Sequence, residues 1–468
     1  MLFAQTAMAA DTTAQTEDTA KADETSEANT EELKTIGEKP EKETEGVLDV
    51  KLKNLTGKVV TGFAVKNEKD EKYPENFLKE DDKFAADEER ELWFDTNKKD
   101  ETADTEKTDE TKAKENALFV SFFPQILQGP IGRYSRLANQ LYAPHKFEGK
   151  NIARGFERIL WGFFKKMILA DWAAVFVDEI FANPDQYSGL ALIGILLYTL
   201  QLYADFSGGM DVVIGIASMF GIELDENFKR PFFAVSVTDF WHRWHITLGT
   251  WMKDYVFYPV TLSRWMGSFS KWAKKVFGRK TGRTLPICIA NIVVFFVVGV
   301  WHGAAWKFII YGLYNGLIIA FSGLMAGNYR SWKKKLHISG KETWYYVFTV
   351  VRTFIITVIS MYFDRPDNMG VALHMMKLSV TRFNPSQILL IPAGKQGTAF
   401  TPYALLILAV GCVILFVVSV LQERGMKIRE SLAKLPLPVT AAVYFCLLIS
   451  IGFFGSTAVA RGFIYAQF

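Results

Sequence analysis

Polar and apolar positions divide this chain into two regimes that meet near residue 117. Beyond that point, long apolar runs recur at 188–206, 284–301, 304–324, 344–363, 402–421 and 437–455. About 20 residues of helix cross the hydrocarbon layer of a bilayer, so each run is long enough to span. Backbone N–H and C=O groups find no water in that layer, which makes helices the expected form. Shorter or amphipathic stretches at 118–128, 155–181 and 209–222 fill the gaps. The pattern predicts an all-α, polytopic helical membrane domain over residues 117–468.

The first 116 residues follow another rule. Residues 1–46 form an acidic segment rich in Thr, Glu, Asp, Ala and Lys, with too few large apolar side chains to build a core, so disorder is expected there. "MLFAQTAMAADTTAQ" has the small residues of a secretory cleavage site ahead of a polar region. It has no basic leader and its apolar part is short, which leaves a clipped start and a chance match both open. Residues 47–96 alternate more regularly. "VLDVKL", "GKVVTGFAV" and "ERELWFD", separated by turn residues, predict a small β-rich module. Residues 97–116 are a charged linker. No catalytic constellation stands out in this head, which reads as a solvated module on tethers.

Charge sharpens the division. The formal net charge of +3 combines a head with 32 acidic and 18 basic residues and a body with 35 basic and 18 acidic. In the body, "SRWMGSFSKWAKKVFGRKTGR", "NYRSWKKKLHISGKE" and "QERGMKIRESLAK" are basic loops between alternate runs, with a further basic region at 133–158. The positive-inside rule can place the three loops in the cytoplasm without conflict, and the region 133–158 also suits the cytoplasm. The stretch 364–400 and the C-terminus then fall outside.

The three cysteines, Cys288, Cys412 and Cys446, lie in apolar runs without a CxxC pair, so they read as small core residues. Polar side chains inside apolar runs are costly and usually face a cavity or a partner; Asp205, His302 and Arg352 stand out on that ground. Arg352 reads equally as a structural partner for a buried carboxylate. His145, His337 and His374 sit in loops or at run edges and read as solvated. In "DFWHRWHITLGTWMKDYVFYP", His242 and His245 stand three apart, which would put them on one helical face. A metal site would need further ligands, and no HExxH or cysteine cluster supplies them. His302, in "FVVGVWHGAAWKFIIYG", is flanked by small residues that allow a close approach. From its surroundings alone, a hydrogen-bonded structural histidine and a proton-transfer group both remain open.

Four separated motifs carry a resemblance to a known family. "SFFPQILQGPIGRY", the block from "YADFSGGMDVVIGIASMFGIELDENFKRPFF" through "FWHRWHITLGTWMKDYVFYP", and "VGVWHGAAWKFIIYGLYNG" follow in the expected order and spacing, and "RTFIITVISMYFDRP" follows more loosely. In these the chain resembles the membrane-bound O-acyltransferases, specifically the bacterial branch that acylates alginate and other cell-surface polymers. The resemblance implies a helical ring around a tunnel. It also implies transfer of an acyl group, acetyl above all, from a cytoplasmic thioester to a hydroxyl on the far side of the membrane. His302 matches the family's near-invariant catalytic histidine and His245 the histidine of its "RWHxS/T" pattern; His242 falls at a variable position and takes no role. Trp244, Arg243, Asp254 and Trp301 are the candidate substrate-binding residues beside these histidines. No bound cofactor or metal is implied. The thioester, acetyl-CoA or a similar donor, is a co-substrate. The implied partners are the lipid bilayer, a cell-surface polysaccharide and an exported acyltransferase protein, and no nucleic acid. Relatives carry several spans ahead of "SFFPQ", where this chain has its acidic head, and an "FFRA"-like sequence where it has "YFDRP", so Arg365 takes no role.

The chemistry agrees with that expectation. Acyl transfer to an alcohol needs a base for the hydroxyl proton and stabilisation of the developing oxyanion. His302 is the candidate base, and His245 is placed to orient the donor or a reacting group. No Ser-His-Asp or Cys-His set is evident, which favours direct transfer over an acyl-enzyme. The competing functions are D-alanyl transfer to teichoic acid, transport without catalysis, and an inactive membrane anchor that displays the head.

Overall fold

The computed structural model describes residues 35–36, 47–53, 89–95, 109–126, 129–390, 402–455 and 462–463. The chain divides into two compact units, 1–110 and 111–468. In the first, β1 (Thr35–Ile36), β2 (Val47–Lys53) and β3 (Glu89–Asp95) form a sheet of order β1-β3-β2. β2 runs antiparallel to β3, with Leu48 opposite Phe94 and Val50 opposite Leu92, and β1 pairs in parallel with β3. "GKVVTGFAV" and most of the acidic segment lie outside the described residues.

The second unit is helical. From α1 (Asp109–Ser121), whose first two residues precede the division, it runs through α2 (Phe123–Ile126) and α3 (Tyr134–Tyr142) into α4 (Gly149–Phe163). A wide π-type turn at 164–170 leads to α5 (Asp171–Ala182), and α6 (Ala191–Met219) follows. Two short helices, α7 (Val237–Arg243) and α8 (Ile246–Met252), precede another wide turn, 253–257, and α9 (Tyr258–Leu262). The long pair α10 (Arg264–His302) and α11 (Trp306–Lys335) comes next, then α12 (Thr343–Met361) and α13 (Met369–Thr381). α14 (Pro402–Glu423), α15 (Ile428–Leu432) and α16 (Leu437–Phe454) complete it.

Six of these helical stretches are long and apolar enough to cross a membrane, and each apolar run of the sequence supplies one. This is a polytopic helical membrane protein, as the hydropathy pattern predicts. The boundaries differ in several places, and the stretch 364–400 holds α13. The stretch 209–222 is no separate element through 219; it extends the preceding run into the 29-residue α6. The basic stretch at 264–283 is helical rather than a loop, because Ser263 caps it by accepting from the Met266 N–H at 3.2 Å. Gly278, at φ 78°, turns the path midway.

Buried glycines set how closely the helices approach. On α4, Gly155 and Gly162 stand seven apart, as do Gly208 and Gly215 on α6. A Cβ on Gly155 would lie 2.5 Å from the Gly215 carbonyl, and one on Gly162 would lie 2.6 Å from that of Gly208. Only glycine permits this contact, as in other tight helix pairs of membranes. The wide turn that follows α4 brings buried charge against α6 and α5. Lys165 bonds Asp211 at 2.7 Å and Ser207 at 2.8 Å. Lys166 lies between Asp205 at 2.5 Å and Asp171 at 3.0 Å. Arg158 joins Asp211 to Glu226. Each cation in this apolar setting is paired, the condition under which burial is tolerated. Among the described residues Arg352 pairs with no carboxylate; its guanidinium donates to the Val235 carbonyl at 2.8 Å.

Candidate functional site

α7 begins with a side-chain cap and a return bond to the residue before it. Ser236 Oγ accepts from the Asp239 N–H at 3.1 Å, while Asp239 accepts from the Val235 N–H at 3.0 Å. The helix stops at Arg243. Trp244 is extended and bridges antiparallel to Phe228, and His245 turns left-handed at φ 47°, ψ 51° before α8 starts. The two histidines therefore do not share a helical face: a left-handed residue lies at the second of them and breaks the helical repeat. Such a conformation costs about 1–3 kcal/mol in a non-glycine residue and persists only where contacts over-determine it.

Those contacts come from residues 227–229. Lys229 N donates to Arg243 O at 2.9 Å and Ile246 N donates to Asn227 O at 3.1 Å. The Asn227 side chain, fully buried, has its Oδ1 3.1 Å from Thr247 N, 3.0 Å from Thr247 Oγ1 and 3.2 Å from His245 Nδ1. The early "GPIGRY" motif joins the same corner: Ile131 N donates to Thr247 Oγ1 at 3.0 Å, and Arg133 pairs with Asp254 at 2.5 Å. Motifs more than a hundred residues apart thus converge on His245.

His245 is buried at 7% exposure, with the Phe206 ring edge-on at 4.8 Å between centroids. Burial, with the nearby His302 as a second contribution, pushes its pKa down to about 3. His302 ends α10, where Gly303 leads the chain out of the helix. Its ring lies 5.4 Å from Tyr311 and 6.1 Å from Phe308 on α11. Trp301 touches both histidines, 6.0 Å from His245 and 5.0 Å from His302.

A cavity of about 410 Å³ opens beside this cluster, lined by His242, His245, Trp241, Phe295, Thr238 and Lys253 among others. His302 does not line it; it connects to the lining through Trp301 and through Tyr311, whose ring lies 6.4 Å from that of Trp241.

Of the six residues singled out from the sequence, the structure brings three together: His245, Trp301 and His302. Trp244 is 3% exposed and packs among Phe228, Phe240 and Tyr203, within the core. Arg243 is taken up by Asp239 on its own helix and Glu423 on α14, both at 3.0 Å. Asp254 is exposed and occupied by Arg133. His242, to which the sequence assigned no role, lines the cavity. Asn227 was missed altogether, because in "LDENFKRP" it sits among charged residues and reads as part of a solvated loop. Among the described residues, no group of three or more His, Cys, Asp or Glu side chains could hold a metal ion.

Comparison with known proteins places this arrangement. The sequence model of the membrane-bound O-acyltransferase family matches residues 92–361. "Probable alginate O-acetylase AlgI" of Azotobacter vinelandii is 33% identical over 260 residues, covering 55% of this chain and 46% of the relative. A peptidoglycan O-acetyltransferase of Helicobacter pylori is 31% identical over 368 residues, 75% of this chain and 64% of its own. A teichoic acid D-alanyltransferase of Bacillus subtilis is 31% identical over 251 residues, 52% of this chain and 59% of its own. The chain spans about half the length of the curated relatives it matches.

Proposed function

The chain belongs to the membrane-bound O-acyltransferase family, and from that premise we propose that it transfers an acyl group, acetyl by preference, from a cytoplasmic thioester to a hydroxyl of a cell-envelope polysaccharide. One observation carries the reading: two motif histidines from separate parts of the chain are joined through Trp301 beside a cavity large enough for an acyl-thioester arm. The names of the relatives support the substrate class. Two are named for O-acetylation and one for D-alanylation of envelope polymers.

In this reading the acceptor hydroxyl oxygen attacks the thioester carbonyl carbon and His302 takes the hydroxyl proton. The tetrahedral intermediate collapses, the C–S bond breaks, and the departing thiolate receives that proton from the imidazolium. His245 lines the cavity on the donor side and orients the thioester. The aromatic walls limit water, which would otherwise consume the thioester. With the basic stretches 264–283 and 329–341 read as cytoplasmic, the cavity beside α8 is taken to receive its donor, acetyl-CoA, from that side. An exported acyltransferase protein or the polysaccharide itself receives the group outside.

The test is acyl transfer by the purified full chain in lipid nanodiscs, with labelled acetyl-CoA and, separately, a D-alanyl carrier protein as donors. Wild-type transfer that falls by at least 10²-fold in His302→Ala supports the reading. Transfer that survives His302→Ala removes His302 as the base. Transfer from the D-alanyl carrier alone moves the function to D-alanylation. No transfer from either donor favours the anchor or transport alternatives.

A further inference from the structure

The hydrogen bonds around Asn227 determine which nitrogen of His245 carries its proton. A backbone N–H can only donate, so the Asn227 side-chain atom 3.1 Å from Thr247 N has to be the oxygen. The amide nitrogen then faces Met210 Sδ at 3.2 Å, a contact in which it donates. The Thr247 hydroxyl oxygen accepts from Ile131 N, and its own proton points to Asn227 Oδ1 at 3.0 Å. The same oxygen is 3.2 Å from His245 Nδ1. An oxygen presented to a neutral imidazole nitrogen selects the protonated one, as the acceptors hydrogen-bonded to histidines of metal and catalytic sites do.

We propose that Asn227 is a positioning residue that holds His245 as the Nδ1–H tautomer, so that Nε2 acts as a hydrogen-bond acceptor toward the N–H or O–H of a reactant in the cavity. The geometry is over-determined. Asn227 is fully buried, and its backbone carbonyl also accepts from Ile246 N, so one residue holds two successive backbone N–H groups, those of Ile246 and Thr247, just after the left-handed turn at His245. A consequence follows for the proposed transfer, on which this inference rests for its functional half. A neutral His245 of this tautomer does not donate from Nε2 to a developing oxyanion. It aligns a donor-bearing part of the substrate, such as an amide N–H of the thioester arm.

The tautomer is read directly by solid-state NMR of the full-length protein, ¹⁵N-labelled at histidine, in lipid bilayers. Subtraction of the His245→Gln spectrum isolates the His245 resonances from those of the other five histidines. The expected result is a protonated Nδ1 and a bare Nε2 in the wild type. Asn227→Ala loses that signature and lowers kcat about 10- to 100-fold with a smaller change in KM, whereas Asn227→Asp, which keeps an acceptor at Oδ1, retains the protonated Nδ1. An Nε2–H tautomer in the wild type overturns the proposal, as does an Asn227→Ala protein that keeps both the signature and kcat. If Asn227→Ala does not fold, the wild-type and Asn227→Asp spectra decide the tautomer by themselves. A protonated Nδ1 in a protein without acyl transfer upholds the tautomer while refuting the proposed function; transfer with a protonated Nε2 does the reverse.

Discussion

Substituting Gly312 by alanine tests whether the site depends on the close crossing of α10 and α11. A Cβ on Gly312 would lie 2.1 Å from the Phe295 carbonyl oxygen and 3.1 Å from Gly299 Cα. Carbon and carbonyl oxygen ordinarily approach to about 3.3 Å, so the two backbones must separate by about 1 Å. Neither clashing atom can rotate away, because both belong to a helical main chain. Overpacking of this kind costs about 1–3 kcal/mol. The functional effect should exceed the loss of stability. Gly299 precedes His302 by less than one turn of α10, and Tyr311, which touches the His302 ring, is the immediate neighbour of Gly312. A shift of about 1 Å at a reacting group can cost ~10²-fold in rate. Purified Gly312→Ala in detergent should therefore melt at a lower temperature by tryptophan fluorescence and transfer acyl groups far more slowly. Gly267→Ala is the matched control: nothing lies within 4 Å of its Cβ, and alanine in a helix is favoured over glycine by about 1 kcal/mol. It should melt at the same temperature or higher. A Gly312→Ala protein that matches the wild type in melting and in transfer would refute the close-packing reasoning.

Acid should destabilise the protein through His245. Its folded pKa, about 3, is below the ordinary value of 6.5, so between these pH values the unfolded chain binds more protons than the folded one. The contribution is intact above pH 6.5 and is lost as pH falls toward 3, by up to about 1.4 kcal/mol per pH unit. Thermal melts across that window should show a shallower fall for His245→Gln than for the wild type; parallel curves would count against burial of a neutral imidazole. Lys166→Met leaves Asp171 and Asp205 buried without their shared cation. It should cost about 3–5 kcal/mol in denaturant or thermal unfolding, and Lys166→Met/Asp205→Leu should recover a substantial part of that loss. Equal losses in the single and double variants would show that the pair is not coupled.

Hydropathy determined the membrane class, because a 20-residue apolar helix has few alternatives to a bilayer or a large core. The six spans were legible for that reason, whereas the small residues after His302 fall in the connection between α10 and α11, and the close crossing of those helices is made instead by Gly299, Gly312 and Gly316. The motif histidines were also visible in sequence. Their arrangement was not. A three-residue spacing places His242 and His245 on one face only if the helix continues, and the left-handed turn at His245 is imposed by residues 227–229, brought alongside by tertiary packing. Local chemistry likewise gave no sign that Trp244 and Arg243 would be drawn into core packing and a clamp with Glu423 on α14, while Trp301 would meet both histidines. Asn227 is the plainest case. In sequence it is one polar residue in a charged stretch, and its importance arises only when burial removes water and leaves its single oxygen to serve the Thr247 backbone, a hydroxyl and an imidazole at once. Periodicity along the chain specifies which segments must leave water. Which polar atoms must then satisfy one another is decided by the contacts between segments.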